Sequence, residues 1–200
     1  DLPSTLLRLL TGEGQADLAP DILTGLASRY DTVIFLFIDS FGWRFFERAA
    51  PDYLALQRFV QQGRVAKITA QFPSTTAAHV TTIHSGLPVA LSGGYEWFYY
   101  EPLLDTMIAP LLFSFAGDEA RDTLQKTGVS AAQLFPSPTF YQTLAARGVR
   151  SLAFQSVSIT PSTYSNHMLA GAAMQPFKTL THGLVNLTQA LAARQGPTYI

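Results

Sequence analysis

Hydrophobic and polar positions along the chain follow strand and helix patterns in alternation. Six consecutive large apolar residues, Val33–Ile38, are not interrupted by polar ones. Such a run of aromatic and β-branched side chains is typical of a central parallel strand covered on both faces. Val65–Thr69 alternates well enough for a second strand, and the amphipathic segment Pro51–Gln62, stopped by Gly63, predicts a helix between them. This order predicts an α/β fold with a mainly parallel sheet sandwiched between helices.

Further helices are predicted from apolar periodicity and from stop signals. Leu2–Leu10 has apolar residues at helical density, and a second short helix is predicted at about Asp21–Arg29. Another helix starts near Trp43. Phe135–Pro138 reads as a rigid connector, after which Thr139–Arg147 begins the next helix.

The composition is that of a globular domain. With 200 residues and 48% hydrophobic content, the chain is long enough for one domain with a real core. Its 13 lysines and arginines nearly balance 14 aspartates and glutamates, so that the net charge is -1 and no basic excess points to nucleic acid or an acidic membrane surface. Cysteine is absent, which excludes a thiol nucleophile and thiolate metal sites and leaves oxygen and imidazole as possible metal ligands.

The apolar stretches are too short or too interrupted to cross a bilayer. Val33–Ile38 is far too short, and Met107–Ala116 is broken by Pro110 and Ser114. We therefore predict no transmembrane segment. The chain begins with Asp1 and no signal-peptide pattern follows, so targeting stays open, with the cytoplasm as the expected compartment.

Asp39 ends the first predicted strand. Open α/β sheets bind ligands at the carboxyl ends of their strands, where loops expose side chains that the sheet holds rigidly. Asp39 is therefore a candidate metal ligand. The same carboxylate is equally suited to cap the helix that starts near Trp43, with Ser40–Gly42 as the turn, and the two roles can coexist.

The stretch Phe72–Gly86 contains a predicted short helix with a marked start. Pro73 forces an extended residue before it, and Ser74 or Thr75 can cap the amide groups that follow. Ala77–Ser85 then reads as the helix itself. Taken alone, this stretch fits a plain capped helix start, because capping needs only this chemistry.

Thr76 would lie in the first turn of that helix, and it is the candidate nucleophile. Free backbone amides and the positive end of the helix dipole favour a phosphate there, and they favour an alkoxide over an alcohol. In a parallel sheet the strand ends before Asp39 and Thr76 would face one edge, so that the carboxylate and the hydroxyl could share a metal ion. That ion would lower the pKa of the hydroxyl.

Together these segments resemble the type I phosphodiesterase and nucleotide pyrophosphatase family, within the alkaline phosphatase superfamily. The matching pieces are the apolar strand with its aspartate at Val33–Asp39, the helix end Phe59–Gly63, the block Phe72–Thr76, and Ser85–Pro88. They cover about Thr32–Gly93. A looser similarity extends through Phe140–Ile200, where a helix, a strand at Val149–Gln155 and a long helix at about Lys178–Arg194 follow the family's order.

The resemblance implies an alkaline phosphatase-like fold and metal-dependent hydrolysis of a small-molecule phosphate ester. The expected substrate is a phosphodiester or a nucleotide pyrophosphate, cleaved through a phospho-threonine intermediate. Asp39 matches the family's strand-end metal ligand. Thr76 matches the nucleophile that also binds metal, with Thr75 as the alternative. Two divalent metal ions, with zinc as the first choice, are the implied cofactors.

The chain departs from the family pattern beside both candidate residues. Ser40 stands where the family often has glycine, and His79 stands where nucleotide pyrophosphatases often have asparagine. His79 follows Thr76 by three residues, so both side chains can face one site, and the imidazole is a candidate for substrate binding through a phosphate oxygen. The other histidines, His84, His167 and His182, are not predicted to be ligands.

A capping insertion is expected at about residues 94–138. Its aromatic segment, Tyr95–Glu101, is predicted to pack within a subdomain rather than to form a wall for the leaving group. Ala116–Ser130, with its charges and glycines, is predicted to be exposed.

Two other functions compete with the hydrolase hypothesis. One is a catalytically silent α/β domain that binds a partner through the aromatic segment. The other is a phosphonate hydrolase or phosphomutase of the same superfamily. The sequence does not indicate the oligomeric state.

The 200 residues are expected to form a single α/β domain that is the N-terminal part of a larger catalytic domain. Two metal ions need about six protein ligands, whereas the sequence supplies Asp39 and Thr76. Gly196–Ile200 resembles the start of the next core strand. Alone, this chain is expected to bind zinc weakly and to turn over little substrate.

Overall fold

The computed structural model describes residues 1–15 and 18–200. The strands are β1 (Thr32–Val33), β2 (Tyr99–Glu101), β3 (Thr106–Ala109), β4 (Ser114–Phe115), β5 (Arg150–Ser156), β6 (Ala172–Phe177) and β7 (Thr198–Tyr199). The helices are α1 (Leu2–Thr11), α2 (Trp43–Ala49), α3 (Leu54–Gln62), α4 (Thr76–Ser85), α5 (Val89–Ser92), α6 (Ala131–Leu134), α7 (Phe140–Ala145), α8 (Thr163–Met168) and α9 (Leu180–Ala192). Short 3₁₀ helices lie at Pro20–Leu23, Pro110–Leu112 and Thr123–Thr127.

A parallel sheet with the strand order β1-β7-β5-β6 forms the centre of the fold. Thr32 of β1 is opposite Thr198 of β7, and Ser151 of β5 is opposite both Tyr199 and Ala172. Helices flank this sheet, so the predicted α/β class is confirmed. The prediction that residues 196–200 begin a core strand is also confirmed, because β7 pairs with a strand on each side.

The core beside the sheet is formed mainly by α1 and α7. Leu6 and Leu10 are one helical turn apart on α1 and are both buried, which is why the apolar density of this segment predicted its helix correctly. Three side chains of α7 complete this core, and Tyr199 of β7 packs against them; the three are Phe140, Tyr141 and Leu144. This core holds α4 in place from behind, since α4 contacts both α1 and α7.

A second core lies around a small antiparallel sheet with the order β2-β3-β4. Its buried residues come from this sheet and from the segments that follow it: Tyr99, Ile108, Phe113, Leu124, Phe135, Tyr164 and Met168. Within the aromatic segment Tyr99 is buried, whereas Tyr95, Trp97 and Tyr100 are 40–50% exposed. The packing prediction therefore holds for Tyr99 and is wrong for these neighbours.

The expectation that Ala116–Ser130 is exposed is wrong at its centre. The 3₁₀ helix Thr123–Thr127 turns Leu124 inward, and this side chain is fully buried in the second core. The charged residues of the segment predicted exposure throughout, but one apolar residue, Leu124, is enough to fix this short turn to the core.

The predicted buried strand Val33–Ile38 is shorter and more exposed than its apolar run indicated. The ladder assigned to β1 covers Thr32–Val33, and one further backbone bond joins the Phe35 amide to the Ile200 carbonyl at 2.6 Å. Leu36 and Ile38 are 65% and 55% exposed. The run therefore enters the sheet as predicted, but among the described residues nothing covers its second half.

Two other predicted elements are absent from the described structure. Val65–Thr69 has no strand, because no described residue exchanges a backbone hydrogen bond with it, and its apolar side chains Val65 and Ile68 are exposed. The helix predicted at Asp21–Arg29 is reduced to the 3₁₀ helix Pro20–Leu23.

The helix predicted at Pro51–Gln62 starts three residues late, at Leu54, and stops at Gly63 as expected. The apolar residues that predicted it are largely exposed, with Leu54 at 76% and Phe59 at 60%. The helices predicted near residues 43, 139 and 178 are confirmed as α2, α7 and α9, and the strand predicted at Val149–Gln155 is confirmed as β5.

Candidate active site

The start of α4 carries the predicted nucleophile. Thr75 is the N-cap, since its side chain accepts a hydrogen bond from the Ala78 amide at 3.2 Å, and Thr76 is the first helical residue. The local sequence explains this start, because a threonine with extended backbone caps the helix and two alanines, the best helix formers, lie in its first turn. Ala77 and Ala78 are buried against the core, whereas Thr76 is half-buried and lies at the surface end of the helix.

Asp39 lies in front of Thr76 although 37 residues separate them in sequence. The Thr76 Oγ1 atom is 3.4 Å from the Asp39 Oδ1 atom and 3.4 Å from Oδ2. Asp39 is exposed, so its carboxylate is open to a ligand from solvent. The structure thus brings together the two residues that the sequence singled out.

The alternative role of Asp39 as a helix cap is not what the structure shows. The N-cap of α2 is Gly42, and no side chain makes a capping hydrogen bond there. Between Asp39 and Gly42, Ser40 has a φ angle of 60°, in the left-handed region that favours glycine. The chain thus turns at Ser40, between Asp39 and the start of α2.

The distance between carboxylate and hydroxyl fits two ligands of one metal ion. At 3.4 Å the oxygens are farther apart than in an ordinary O–H···O bond of about 2.5–3.0 Å. Two oxygens that each lie about 2.1 Å from a tetrahedral metal ion are separated by about 3.4 Å. Both are oxygen donors, as a hard or borderline divalent ion requires.

Further metal ligands are not gathered around this pair. Within residues 1–15 and 18–200, no group of three or more His, Asp or Glu residues is placed to hold a metal ion. Asp39 and Thr76 are thus the two oxygen-bearing side chains that the described structure brings together here.

The Thr75 hydroxyl already makes two hydrogen bonds. It donates to the Tyr95 carbonyl at 2.8 Å while it accepts from the Ala78 amide. Thr76 has no such backbone acceptor, and its described side-chain partner is Asp39. The two neighbouring threonines thus differ in their surroundings, and Thr76 is the one whose hydroxyl faces the carboxylate.

Two backbone amides are available beside this hydroxyl. Among the described residues, no acceptor bonds the N–H groups of Thr76 or Ala77, whereas the next two amides of α4 bond to Thr75. Unpaired amides at a helix start point toward an anion and carry part of the positive end of the helix dipole. They can donate to an oxygen of a phosphoryl group that reacts with Thr76.

His79 lies one turn further along α4, with its ring held against the helix start. Its Nδ1 atom is 2.8 Å from the Thr75 carbonyl oxygen, so Nδ1 carries the proton and donates to that oxygen. The other ring nitrogen, Nε2, is then an acceptor in the neutral ring. Donation from Nε2 to a phosphate oxygen requires the protonated ring.

His84 is a buried structural residue, which agrees with its exclusion from the predicted ligands. Its Nδ1 atom is 2.7 Å from the Tyr141 hydroxyl of α7, and its Nε2 atom is 3.4 Å from the Gln155 side chain of β5. Burial lowers the pKa of His84 to about 4. His84 therefore stays neutral near pH 7 and ties α4 to the sheet.

One contact at this site was not predicted from the sequence. The Tyr95 carbonyl reaches Thr75 from the start of the aromatic segment, and the Tyr95 ring stacks on Tyr99 with ring centroids 5.0 Å apart. A backbone carbonyl carries no sequence signal. The one signal beside it is Gly94, where a Cβ atom would clash with the Thr81 side chain of α4.

Comparison with known proteins identifies the class to which this fold and site belong. The family model for type I phosphodiesterase / nucleotide pyrophosphatase matches residues 33–190. The chain belongs to this family, and the match supports phosphoester hydrolysis of the phosphodiesterase and pyrophosphatase type in general. Members of the family are generally metal-dependent. The resemblance inferred from the sequence is thereby confirmed.

No curated protein and no solved structure shows significant similarity to the chain. None of the described helices is both long enough and apolar enough to span a bilayer.

Proposed function

We propose that the chain hydrolyses a phosphodiester or a nucleotide pyrophosphate of small size through a phospho-threonine intermediate on Thr76. The observation that carries this proposal is the placement of the Thr76 hydroxyl at the start of α4, 3.4 Å from both oxygens of Asp39. The two unpaired amides of Thr76 and Ala77 support it, because they stabilise negative charge where a phosphoryl group would react.

In the first step the Thr76 Oγ1 atom gives its proton to solvent and attacks phosphorus. A bond forms between Oγ1 and phosphorus while the bond to the leaving oxygen breaks, and the leaving group takes a proton from solvent. The Thr76 and Ala77 amides donate to a non-bridging oxygen. In the second step water attacks the phosphorylated threonine, which returns the Thr76 hydroxyl and releases the phosphate product.

Two divalent metal ions, with zinc as the first choice, would lower the pKa of the Thr76 hydroxyl and compensate negative charge. Asp39 and Thr76 would hold one of them. His79 is proposed as a substrate-binding residue that, when its ring is protonated, donates from Nε2 to a phosphate oxygen while Nδ1 stays bonded to Thr75.

The test is the hydrolysis of a nitrophenyl phosphodiester by the full-length protein and its variants. Thr76→Ala removes the attacking atom and is expected to lower kcat at least about a thousandfold. Thr76→Ser, which keeps a hydroxyl, should retain measurable turnover. Thr188→Ala, on the exposed face of α9, is the matched control and should leave kcat unchanged.

Asp39→Asn separates the metal assignment from the nucleophile. It preserves the shape of the side chain but removes its charge, so bound metal measured by atomic emission should fall together with activity. Unchanged hydrolysis by Thr76→Ala would show that another group attacks phosphorus. Unchanged metal content and activity in Asp39→Asn would remove Asp39 from the metal site.

A further inference from the structure

Thr75 is the point at which three parts of the site meet. Its hydroxyl accepts from the Ala78 amide at 3.2 Å and donates to the Tyr95 carbonyl at 2.8 Å. Its own carbonyl accepts from the His79 amide at 3.2 Å and from the His79 ring at 2.8 Å. A helix cap needs only the first of these contacts. The bond to Tyr95 adds nothing to the helix and instead joins it to a segment 20 residues away.

That segment is itself fixed from the other side. Tyr95 stacks on Tyr99, and Tyr99 is buried in the second core with 8% exposure. Gly94 lies so close to α4 that a Cβ atom placed on it would be 2.9 Å from the Thr81 Cβ and 2.7 Å from its Oγ1. Gly94 against α4 and Tyr99 in the second core therefore fix the segment on both sides of Tyr95, whose carbonyl is presented to Thr75 at a defined position.

Thr76 follows Thr75 directly, so the placement of Thr75 sets that of the next hydroxyl. The side chain of Thr76 faces a carboxylate from a segment 37 residues earlier in the sequence, and no other described hydrogen bond orients it. A displacement of about 1 Å at a reacting group can lower a rate about a hundredfold. A second anchor on the neighbouring residue is a direct way to prevent such a displacement.

We propose that Thr75 is a positioning residue for the reaction, and that its hydrogen bond to the Tyr95 carbonyl holds the Thr76 hydroxyl toward Asp39. This inference rests on the proposed function of Thr76 as the nucleophile. Thr75 does not touch the reacting atoms in this role. Through it, the small antiparallel sheet and its core contribute to turnover as well as to stability.

The test compares Thr75→Val with Thr75→Ser in the full-length protein. Valine has the shape of threonine but can neither accept from Ala78 nor donate to Tyr95, whereas serine can do both. Thr75→Val should lower kcat about 10- to 100-fold, with KM changed by less than about threefold, because binding groups remain while the attacking group is displaced. Thr75→Ser should keep kcat within about threefold of the wild type. All variants are assayed at a temperature at which circular dichroism shows them folded.

Gly94→Ala perturbs the same contact from the other side and leaves Thr75 intact. It should also lower kcat, because the added Cβ pushes the Tyr95 segment away from α4. If both variants act through one contact, the double variant loses less activity than the product of the two single losses. If the loss of kcat in the double variant equals the product of the two single losses, the proposal is overturned, because a general loss of helix stability acts independently of Gly94.

The remaining outcomes are equally decisive. Thr75→Val with kcat within about threefold of the wild type overturns the positioning role, as does a Thr75→Ser variant that loses as much as Thr75→Val. If Thr75→Val does not fold, wild-type kcat in Gly94→Ala overturns it, and a loss in Gly94→Ala with retention in Thr75→Ser supports it. An inactive Thr76→Ala beside a normal Thr75→Val removes only this inference, whereas an active Thr76→Ala removes the proposed function itself.

Discussion

Beside the site, Ser40 has a backbone conformation that is unfavourable for a residue with a side chain. Its φ of 60° costs an L-residue about 1–2 kcal/mol, which glycine avoids. The family often has glycine at this place, and the structure now gives the physical reason, because the chain turns sharply after Asp39. The local conformation of Ser40 is thus imposed by the site and not by the residue.

We expect Ser40→Gly to raise the free energy of unfolding by about 0.5 kcal/mol, because relief of the left-handed conformation outweighs the larger entropy of glycine in the unfolded chain. Ser40→Val should lower it by about 1 kcal/mol. Urea unfolding measures both. Ser28→Gly, at an exposed position without positive φ, is the control and should lower it by a few tenths of a kcal/mol. A loss of stability in Ser40→Gly equal to that of the control would contradict this account.

His84 predicts a dependence of stability on pH. Its pKa is about 4 in the folded protein and 6.5 in the unfolded chain, so the unfolded chain binds a proton more readily below pH 6.5. The contribution of neutral His84 is complete above pH 6.5 and is lost as the pH falls toward 4. The difference between the two pKa values corresponds to about 3 kcal/mol.

The variant His84→Asn can still bond Tyr141 but does not titrate, so this part of the pH dependence should disappear from its urea unfolding curves. The comparison is made between pH 7 and pH 4. The variant Gln189→Asn, at an exposed position on α9, is the control and should leave the pH dependence as in the wild type. Equal slopes for the wild type and His84→Asn would refute the buried neutral state.

At the scale of helices and strands, the sequence predicted the elements that neighbouring residues determine. It failed for the elements that depend on a partner far away in sequence. The start of α4 was predictable because Thr75 and the alanines after it are sufficient for a capped helix. Val65–Thr69 alternates like a strand but has no described partner to form a ladder. Strand β6 was not predicted, since its sequence Ala172–Phe177 contains a glutamine and a proline and is specified mainly by its pairing with β5.

Gly171 illustrates such a long-range requirement between α8 and β6. Its φ is 96°, and a Cβ atom would lie 2.6 Å from the Gln142 amide nitrogen of α7. We expect Gly171→Ala to lower the free energy of unfolding by about 3 kcal/mol or more, from the unfavourable backbone conformation together with the clash. Thermal or urea unfolding measures the loss.

Gly148→Ala is the matched control for Gly171→Ala. Gly148 also has a positive φ, 74°, but no atom of the described residues lies within 4 Å of the added Cβ. Its expected cost is therefore only that of the backbone, about 1–2 kcal/mol. Equal losses in the two variants would show that α7 does not approach Gly171 as closely as described.

The most conspicuous property of the whole molecule is a region of exposed apolar side chains within residues 34–68. Its members are Ile34, Leu36, Phe37, Ile38, Phe41, Phe45, Tyr53, Leu54, Phe59, Val60, Val65 and Ile68. Apolar surfaces of this extent favour association, and an open strand edge within them favours it further. We therefore expect the 200-residue chain, prepared alone, to bind a hydrophobic dye and to self-associate.

Replacing Leu36 and Ile38 together by lysine should reduce dye binding and association, as measured by fluorescence and by sedimentation. Leu91→Lys is the control, because Leu91 is 70% exposed but lies outside this region. If the control variant reduces association as much as the double variant, the exposed region around β1 is not its cause.

The candidate site was more predictable than the sheet that supports it. Asp39 and Thr76 were chosen because each follows a strand-like segment, and the structure places them 3.4 Å apart. The contacts that hold these two residues in place could not be predicted from the sequence. The Tyr95 carbonyl and the neutral His84 act through backbone contact and burial, which depend on the assembled fold.

The central claim is that Thr76 forms a covalent bond to phosphorus, and acid-quenched digestion with mass spectrometry tests it most directly. The full-length protein is mixed with a nitrophenyl phosphodiester, stopped in acid during turnover, and its peptides are mapped. The account predicts that Thr76 carries the phosphoryl group together with the ester group that the substrate retains, and that this adduct is absent from Thr76→Ala. The same adduct on Thr75 or Ser74, or rapid turnover with no adduct on any peptide at any time point, would contradict it.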